Sequence, residues 1–286
     1  MVYHFMDDFS DEERKNFTII TGVSGFIGKR FFINGVHRNT IGIKFNSKIN
    51  LNEEKIKKVN LIDIKQVKTF FNDYKPNIVY HFAALTSPTI NEENPQLAKK
   101  SHLEITKNIL DSIPSDTHLV FLSTDKVFDG IHPNPDEKTE TNPLQLYGKL
   151  KLICENMIKN KINKYHILRL PIVHSIGEKN SNSFIDEALI QIKLGNSIKV
   201  YDNVFRCYVL LSDLIDLLGK VSYDTNYGVY HVGTKMMSYY DRIIQLCVKY
   251  NINYRGLIEP IKGSTKPLKQ NLNTNKLKNI FNCEFK

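Results

Sequence analysis

From residue 17 onward the chain alternates short β-branched runs with stretches whose apolar positions recur every three or four residues. FTIITGVSGFIGKRFFINGV, at 17–36, predicts a strand, a glycine turn and a helix with one apolar face. TIGIKF at 40–45 predicts a second strand and KVNLID at 58–63 a third, with a helix following through IKQVKTFFNDY. NIVYHFAA is read as a fourth strand ending at 84, and a helix after Pro95 carries Leu97, Ile105, Ile109 and Leu110. THLVFLST gives a fifth strand, a helix opens near Leu144 and runs toward Lys161, and KYHILRL is a further strand. That alternation predicts a Rossmann-type α/β fold, a doubly wound parallel sheet covered by helices on both faces.

After Pro171 the alternation loosens, with helical candidates at 182–194, 212–222 and 238–250 and a strand at GVYHVG. The expected organisation is a charged leader at 1–16 and a dinucleotide-binding domain at 17–170. The rest, 171–286, is a smaller α/β substrate-binding lobe, some of whose segments return to the main sheet.

Length and composition narrow the class. At 286 residues and 41% apolar, the chain suits one large α/β domain with a modest appendage. The net charge of +9 comes from lysines scattered among asparagines and isoleucines, without a basic block, so nucleic acid is not the expected partner while small anions are compatible. The four cysteines are far apart and lack metal-ligand spacing, which fits a reduced cytoplasmic protein without a metal. The start is acidic without an apolar signal core, and no run reaches membrane-span length, so no membrane partner is expected.

TGVSGFIG places Gly22, Gly25 and Gly28 at three-residue intervals between strand and helix. The first two permit a tight turn and close approach of a pyrophosphate to backbone N–H groups, and the third lets helix and strand pack closely. Ser24, Phe26 and Ile27 complete the turn at a helix N-terminus that favours an anion. The second strand ends in Phe45, Asn46, Ser47 and Lys48 with no carboxylate to bind a ribose 2′-hydroxyl, and Lys29 and Arg30 follow the turn. NADP(H) is therefore favoured, with NAD(H) left open. Asp63 and Ile64 are candidates to bracket the adenine, Ala83 and Ala84 to floor the middle of the cofactor, and His81 reads as a packed strand histidine.

LYGKLK sets Tyr147 and Lys151 four residues apart on one helix face. A lysine ammonium beside a phenol stabilises the phenolate, which suits the phenol to exchanging a proton with a carbonyl oxygen. The strand ending VFLST presents Thr124 to the same oxygen.

With TGVSGFIG, KPNIVYHFAALTSP, FLSTDKVFDG, ETNPLQLYGKLKLICE and ILRLPIV, the chain resembles the extended short-chain dehydrogenase/reductases over about 17–175. Within them it is most similar to the dTDP-4-dehydrorhamnose reductase family. The resemblance implies NADPH-dependent reduction of a 4-keto-6-deoxy sugar carried on a nucleoside diphosphate, in the synthesis of deoxysugar precursors. It puts Thr124, Tyr147 and Lys151 in the catalytic places, with Tyr147 and Lys151 also against the cofactor. Thr86, Ser87, Asp125, Val127 and Phe128 would line the sugar. Arg206, in DNVFRCY, resembles the arginine that other extended members place on the diphosphate, and a homodimer is open to such a chain.

Two departures stand out: His102 occupies the place of a frequent asparagine, and LPIVHS replaces an aromatic-containing segment. The rival readings are a nucleotide-sugar epimerase or dehydratase with retained NAD, and a non-catalytic NADP-binding regulatory subunit of the kind found with methionine adenosyltransferase. STDKVFDG lacks the glutamate that dehydratases tend to carry after the threonine and aspartate.

Overall fold

The computed structural model describes residues 17–34, 39–47, 49, 53–179, 181, 183–263 and 268–285. The leader at 1–16 and Lys48 therefore lie outside the described residues. In chain order the first strands and helices are β1 (Thr18–Thr21), α1 (Phe26–Ile33), β2 (Thr40–Lys44), β3 (Ile56–Lys58), α2 (Ile64–Tyr74) and β4 (Ile78–His81). Next come α3 (Pro88–Glu93), α4 (Pro95–Lys99), α5 (Ile105–Leu110), β5 (His118–Thr124), α6 (Leu146–Lys161) and β6 (Tyr165–Leu170). The later elements are β7 (Ile172–His174), α7 (Phe184–Lys193), β8 (Ile198–Tyr201), β9 (Val204–Arg206), β10 (Tyr208–Leu210), α8 (Leu211–Val221) and β11 (Gly228–His231). They end with β12 (Met237–Ser238), α9 (Tyr239–Lys249), β13 (Ile258–Ile261), β14 (Leu268–Gln270) and α10 (Asn275–Phe281).

The central sheet has seven strands in the order β11-β6-β5-β4-β1-β2-β3, with β1 at the point where strand order reverses. β1 pairs in parallel with both β2 and β4, and β4 with β5. This is the expected doubly wound Rossmann sheet. The strand GVYHVG, expected in the second lobe, supplies β11 at its edge.

Two compact units are present: Met1–Leu122 with Gln145–Ile167 and Leu218–Gly228, and Ser123–Leu144 with Leu168–Leu217 and Val229–Lys286. The division thus recurs along the chain instead of falling once near 170.

In the first unit, β1 is buried at every position, and α1 buries Gly28 and Phe31, the latter edge-on to Tyr80 at 4.5 Å between ring centroids. α2 buries Val67, Phe70 and Phe71, the spacing of one helical face.

β3 ends earlier than KVNLID suggests because a turn begins at Asn60, whose Oδ1 accepts from Ile62 N while its own N–H donates to Gln66 Oε1. β4 stops at His81 because Phe82 N and Ala83 N leave the ladder and donate to Thr21 Oγ1, both at 3.1 Å.

The helix expected after Pro95 arrives in pieces: α4, a π-helical turn at Lys100–Glu104, and α5. A π turn inserts one residue and rotates the face that follows. Ile109 and Leu110 are buried, whereas Leu97 is 50% exposed, contrary to its place on a shared apolar face.

In the second unit, β10 pairs with β7, β13 with β8, and β9 lies between β12 and β14. α7 and α9 close a core that includes Ile185, Leu189, Val200, Tyr208, Ile243 and Leu246. Its loop at 175–177 is held by buried Asp186, which accepts from Ser175 N, Ser175 Oγ and Gly177 N.

Candidate active site

The glycine turn has the geometry that close approach requires. Gly22 has φ +68°, and a Cβ there would lie 2.7 Å from Ala83 N. A Cβ on Gly28 would run into the Gly22 carbonyl. Gly25 is the N-cap of α1, without a side-chain cap and with no acidic residue in the first turn, so the helix start is left to an external anion. Ser24, Phe26 and Ile27 are half-buried around it. These residues fit a dinucleotide pyrophosphate; the Ala83 backbone lies close against Gly22, and Ala84 beside it is half-buried.

The adenine end differs. Asn46 is exposed at the end of β2. Asp63 is the N-cap of α2: Oδ1 accepts from Lys65 N and Gln66 N, and Oδ2 from Gln66 Nε2 at 2.9 Å. Those bonds, the Gln66 side chain first, lower its pKa. Both carboxylate oxygens are thus engaged in capping, and Ile64 opens the helix that they cap.

A directed hydrogen-bond chain runs inward from β1. Thr21 Oγ1 and His81 Nδ1 are 3.1 Å apart, His81 Nε2 and Thr106 Oγ1 3.0 Å, and Thr106 Oγ1 donates to Cys154 Sγ, which reaches His102 O. Burial, reinforced by the Lys151 charge, pushes His81 down to about 3, so it is neutral and acts as a packed histidine.

His102 sits in the π turn. Its Nε2 donates to Leu85 O at 3.0 Å, and its ring stands edge-on to Tyr147 at 5.7 Å. Burial, with Lys151 again second, pushes its pKa down to about 4. A histidine in the asparagine's place thus makes a backbone contact, to Leu85 O, and packs its ring edge against Tyr147. π turns recur at functional sites, and this one lies against Tyr147.

α6 begins at Leu146, whose N–H donates to Glu92 Oε1 at 2.7 Å, so α3 braces the start of the helix that carries Tyr147. Tyr147 is half-buried at that N-terminus, while Lys151, one turn on, is 3% exposed. Lys151 Nζ donates to Leu122 O at 2.7 Å and lies 4.5 Å from the centroid of the Phe121 ring. Burial pushes the ammonium down to about 8, partly offset by Cys154 and Glu155. Thr86 is exposed and Ser87 caps α3 through Ile90 N, with buried Asn91 Nδ2 donating to Leu85 O and Ser87 O.

In the second unit, the turn after β5 is packed tightly. Thr124 is 6% exposed; its Oγ1 accepts from Lys126 N at 3.2 Å and donates to Asp125 Oδ1 at 3.3 Å. Asp125 Oδ2 is 2.6 Å from Arg206 Nη2, an ion pair with the aspartate buried and the arginine 13% exposed. Burial works against the guanidinium's charge, but Asp125, with Tyr239 and Tyr208, outweighs it and raises the pKa. Gln270, from β14, donates to Asp125 O and Phe128 O.

Two expectations change here. Val127 and Phe128 are buried at 0% and 4% exposure, Phe128 lying between Arg169 and His231, so they hold the turn from inside and offer no surface to a sugar. Asp125 and Arg206, expected as separate ligand contacts, are paired with each other by the fold. No cluster of metal-ligating side chains occurs among the described residues, and no described helix is long and apolar enough to cross a membrane.

Comparison with known proteins identifies the family and the fold. The family model described as "RmlD substrate binding domain" matches residues 17–285. Methionine adenosyltransferase 2 subunit beta of Xenopus tropicalis is 27% identical over 92% of this chain and 81% of that protein. The solved dTDP-4-dehydrorhamnose reductase of Clostridium acetobutylicum is 26% identical, with a TM-score of 0.76 over 93% of this chain and 92% of its own. That of Bacillus anthracis, in complex with NADP, is 24% identical with a TM-score of 0.75 over 95% and 94%.

Proposed function

The chain belongs to the RmlD substrate binding domain family, and from that premise we propose that it reduces the keto group of a 4-keto-6-deoxy nucleotide sugar with NADPH, making precursors for deoxysugar-containing polymers. The observation that carries this reading is the Lys151 Nζ bond to Leu122 O. It fastens the helix bearing Tyr147 to the strand that runs on into Thr124.

Gly22, Ser24, Gly25, Phe26, Ile27 and Gly28 would hold the pyrophosphate, and Ala83 and Ala84 would line the dinucleotide site. A bound nicotinamide dinucleotide supplies the hydride. Tyr147 Oη gives its proton to the oxygen of the reacting carbonyl. Two features stabilise the phenolate that remains: the positive end of the sixteen-residue helix α6 and the buried Lys151 ammonium one turn away. His102 packs on the ring and limits its rotation. Thr86 and Ser87, at the start of α3, are the polar groups offered to the sugar.

The test is turnover of 4-keto nucleotide sugars followed by NADPH absorbance, in wild type and Tyr147→Phe. Loss of one transferable proton lowers kcat by about a hundredfold or more while dinucleotide affinity stays within about twofold. Retention of most activity by Tyr147→Phe rejects the assignment.

A second reading is a silent dinucleotide-binding subunit. The similarity to methionine adenosyltransferase 2 subunit beta over 92% of the chain favours it. Wild-type protein that binds NADPH but turns over no keto sugar selects this reading.

A further inference from the structure

We propose that Arg206 is a positioning residue: through Asp125 it fixes the Thr124 hydroxyl so that Oγ1 meets a bound sugar as a hydrogen-bond acceptor. The inference rests on the reductase reading for its functional consequence, and on the second unit alone for its geometry.

The donor and acceptor inventory forces the direction. An ionised carboxylate has only acceptors, so between Asp125 Oδ1 and Thr124 Oγ1, 3.3 Å apart, the threonine supplies the proton. Of the two lone pairs on Oγ1, one takes the Lys126 N–H at 3.2 Å. One lone pair and no proton remain for a ligand. Thr124 is thus matched to a donor, such as a sugar hydroxyl, and does not donate to a carbonyl, so the proton for the reacting oxygen comes from Tyr147.

Arg206 maintains this arrangement. Its Nη2 holds Asp125 Oδ2 at 2.6 Å, in surroundings where Asp125 is 2% exposed, and so fixes the carboxylate in rotation. The turn is held from the other side by Gln270 Nε2 on Asp125 O at 2.7 Å. Arg206 Nε is buried without a hydrogen-bond partner among the described residues, so the guanidinium faces Asp125 without making a two-pronged pair.

This role separates from a grip on the diphosphate in a kinetic experiment with a local structural readout. Arg206→Ala, Arg206→Lys and Thr124→Val, alone and with Arg206→Ala combined with Thr124→Val, are assayed for keto-sugar reduction. Amide exchange of Lys126, whose N–H rests on Thr124 Oγ1, is followed in parallel.

Arg206→Ala is expected to lower kcat about tenfold with KM for the nucleotide sugar within about twofold, and to speed Lys126 exchange about tenfold. In the Thr124→Val background the same change should cost less than about twofold, because the hydroxyl that it positions is gone. Arg206→Lys keeps the charge and guards against misfolding of the alanine variant, and it should recover part of both effects.

A KM raised about tenfold at unchanged kcat overturns the proposal and puts Arg206 on the ligand. So does unchanged Lys126 exchange in both Arg206 variants. If wild type reduces no keto sugar, the reductase reading fails while the exchange measurement still decides whether Arg206 orders the turn.

Discussion

Replacing Lys151 with methionine should make the protein more stable at neutral pH and less stable at high pH, because the lysine sits charged in a place that disfavours charge. Its side chain is 3% exposed, and burial takes its pKa from 10.5 down to about 8. Below the folded value both states carry the proton and the full cost of the buried charge is present. Between about 8 and 10.5 the unfolded chain binds more protons than the folded one, so stability rises with pH through that window, and above it the cost is gone. A fall of about 2.5 pH units at about 1.4 kcal/mol each is ~3 kcal/mol.

Methionine fills similar volume without charge but gives up the bond to Leu122 O, a loss of about 1 kcal/mol. Lys151→Met should therefore lead wild type by about 2 kcal/mol near pH 7, and trail it by about 1 kcal/mol once the lysine is neutral. Urea unfolding of both proteins at a series of pH values from 7 upward checks this, a range in which His81 and His102, which feel the Lys151 charge, are both neutral. A gap that does not change with pH refutes the reasoning.

Three other outcomes follow from the same geometry. Gly22→Ala forces a side chain at φ +68° to within 2.7 Å of Ala83 N; a loss of about 2 kcal/mol in stability and of NADPH binding is expected by urea unfolding and by titration. NADPH should exceed NADH in kcat/KM, because Asn46, with no carboxylate, ends the β2 loop and Lys29 and Arg30 are exposed nearby in the chain; side-by-side kinetics decide it. Glu92→Gln should lower kcat for keto-sugar reduction about threefold by loosening the start of α6, with KM little changed, which steady-state kinetics can resolve.

The parts legible in the sequence are those whose physics is local. β1, the glycine turn and α1 were recognisable because a β-branched run, three spaced glycines and an apolar helical face fall within sixteen residues. α6, α7, α8 and α9 kept their expected places to within a few residues. The region after Pro95 did not, because a π turn breaks the 3.6-residue period on which the expectation for Leu97 rested.

Strands such as β9, β12 and β14 are two or three residues long and exist only through each other, too short for any periodic signal. The pairing of Asp125 with Arg206 joins residues 81 apart, and each looked like a ligand contact while the other was out of view. His102 was visible as a departure, but its edge-on packing against Tyr147 needed the fold.

The interleaving of the two units sets a timetable for synthesis. Tyr80 is fully buried, and its phenol donates to Leu218 O at 2.8 Å, 138 residues further along. At roughly 5–20 residues per second, that acceptor leaves the ribosome about 7–28 s after the tyrosine. During that interval β1 to β6 can be assembled, yet one side of their packing is open and a polar group at its centre still needs water. A nascent chain of this protein thus carries an unpartnered core phenol for about half of its translation, and slow codons or a holding chaperone would matter most between β6 and residue 218, before β11 completes the sheet.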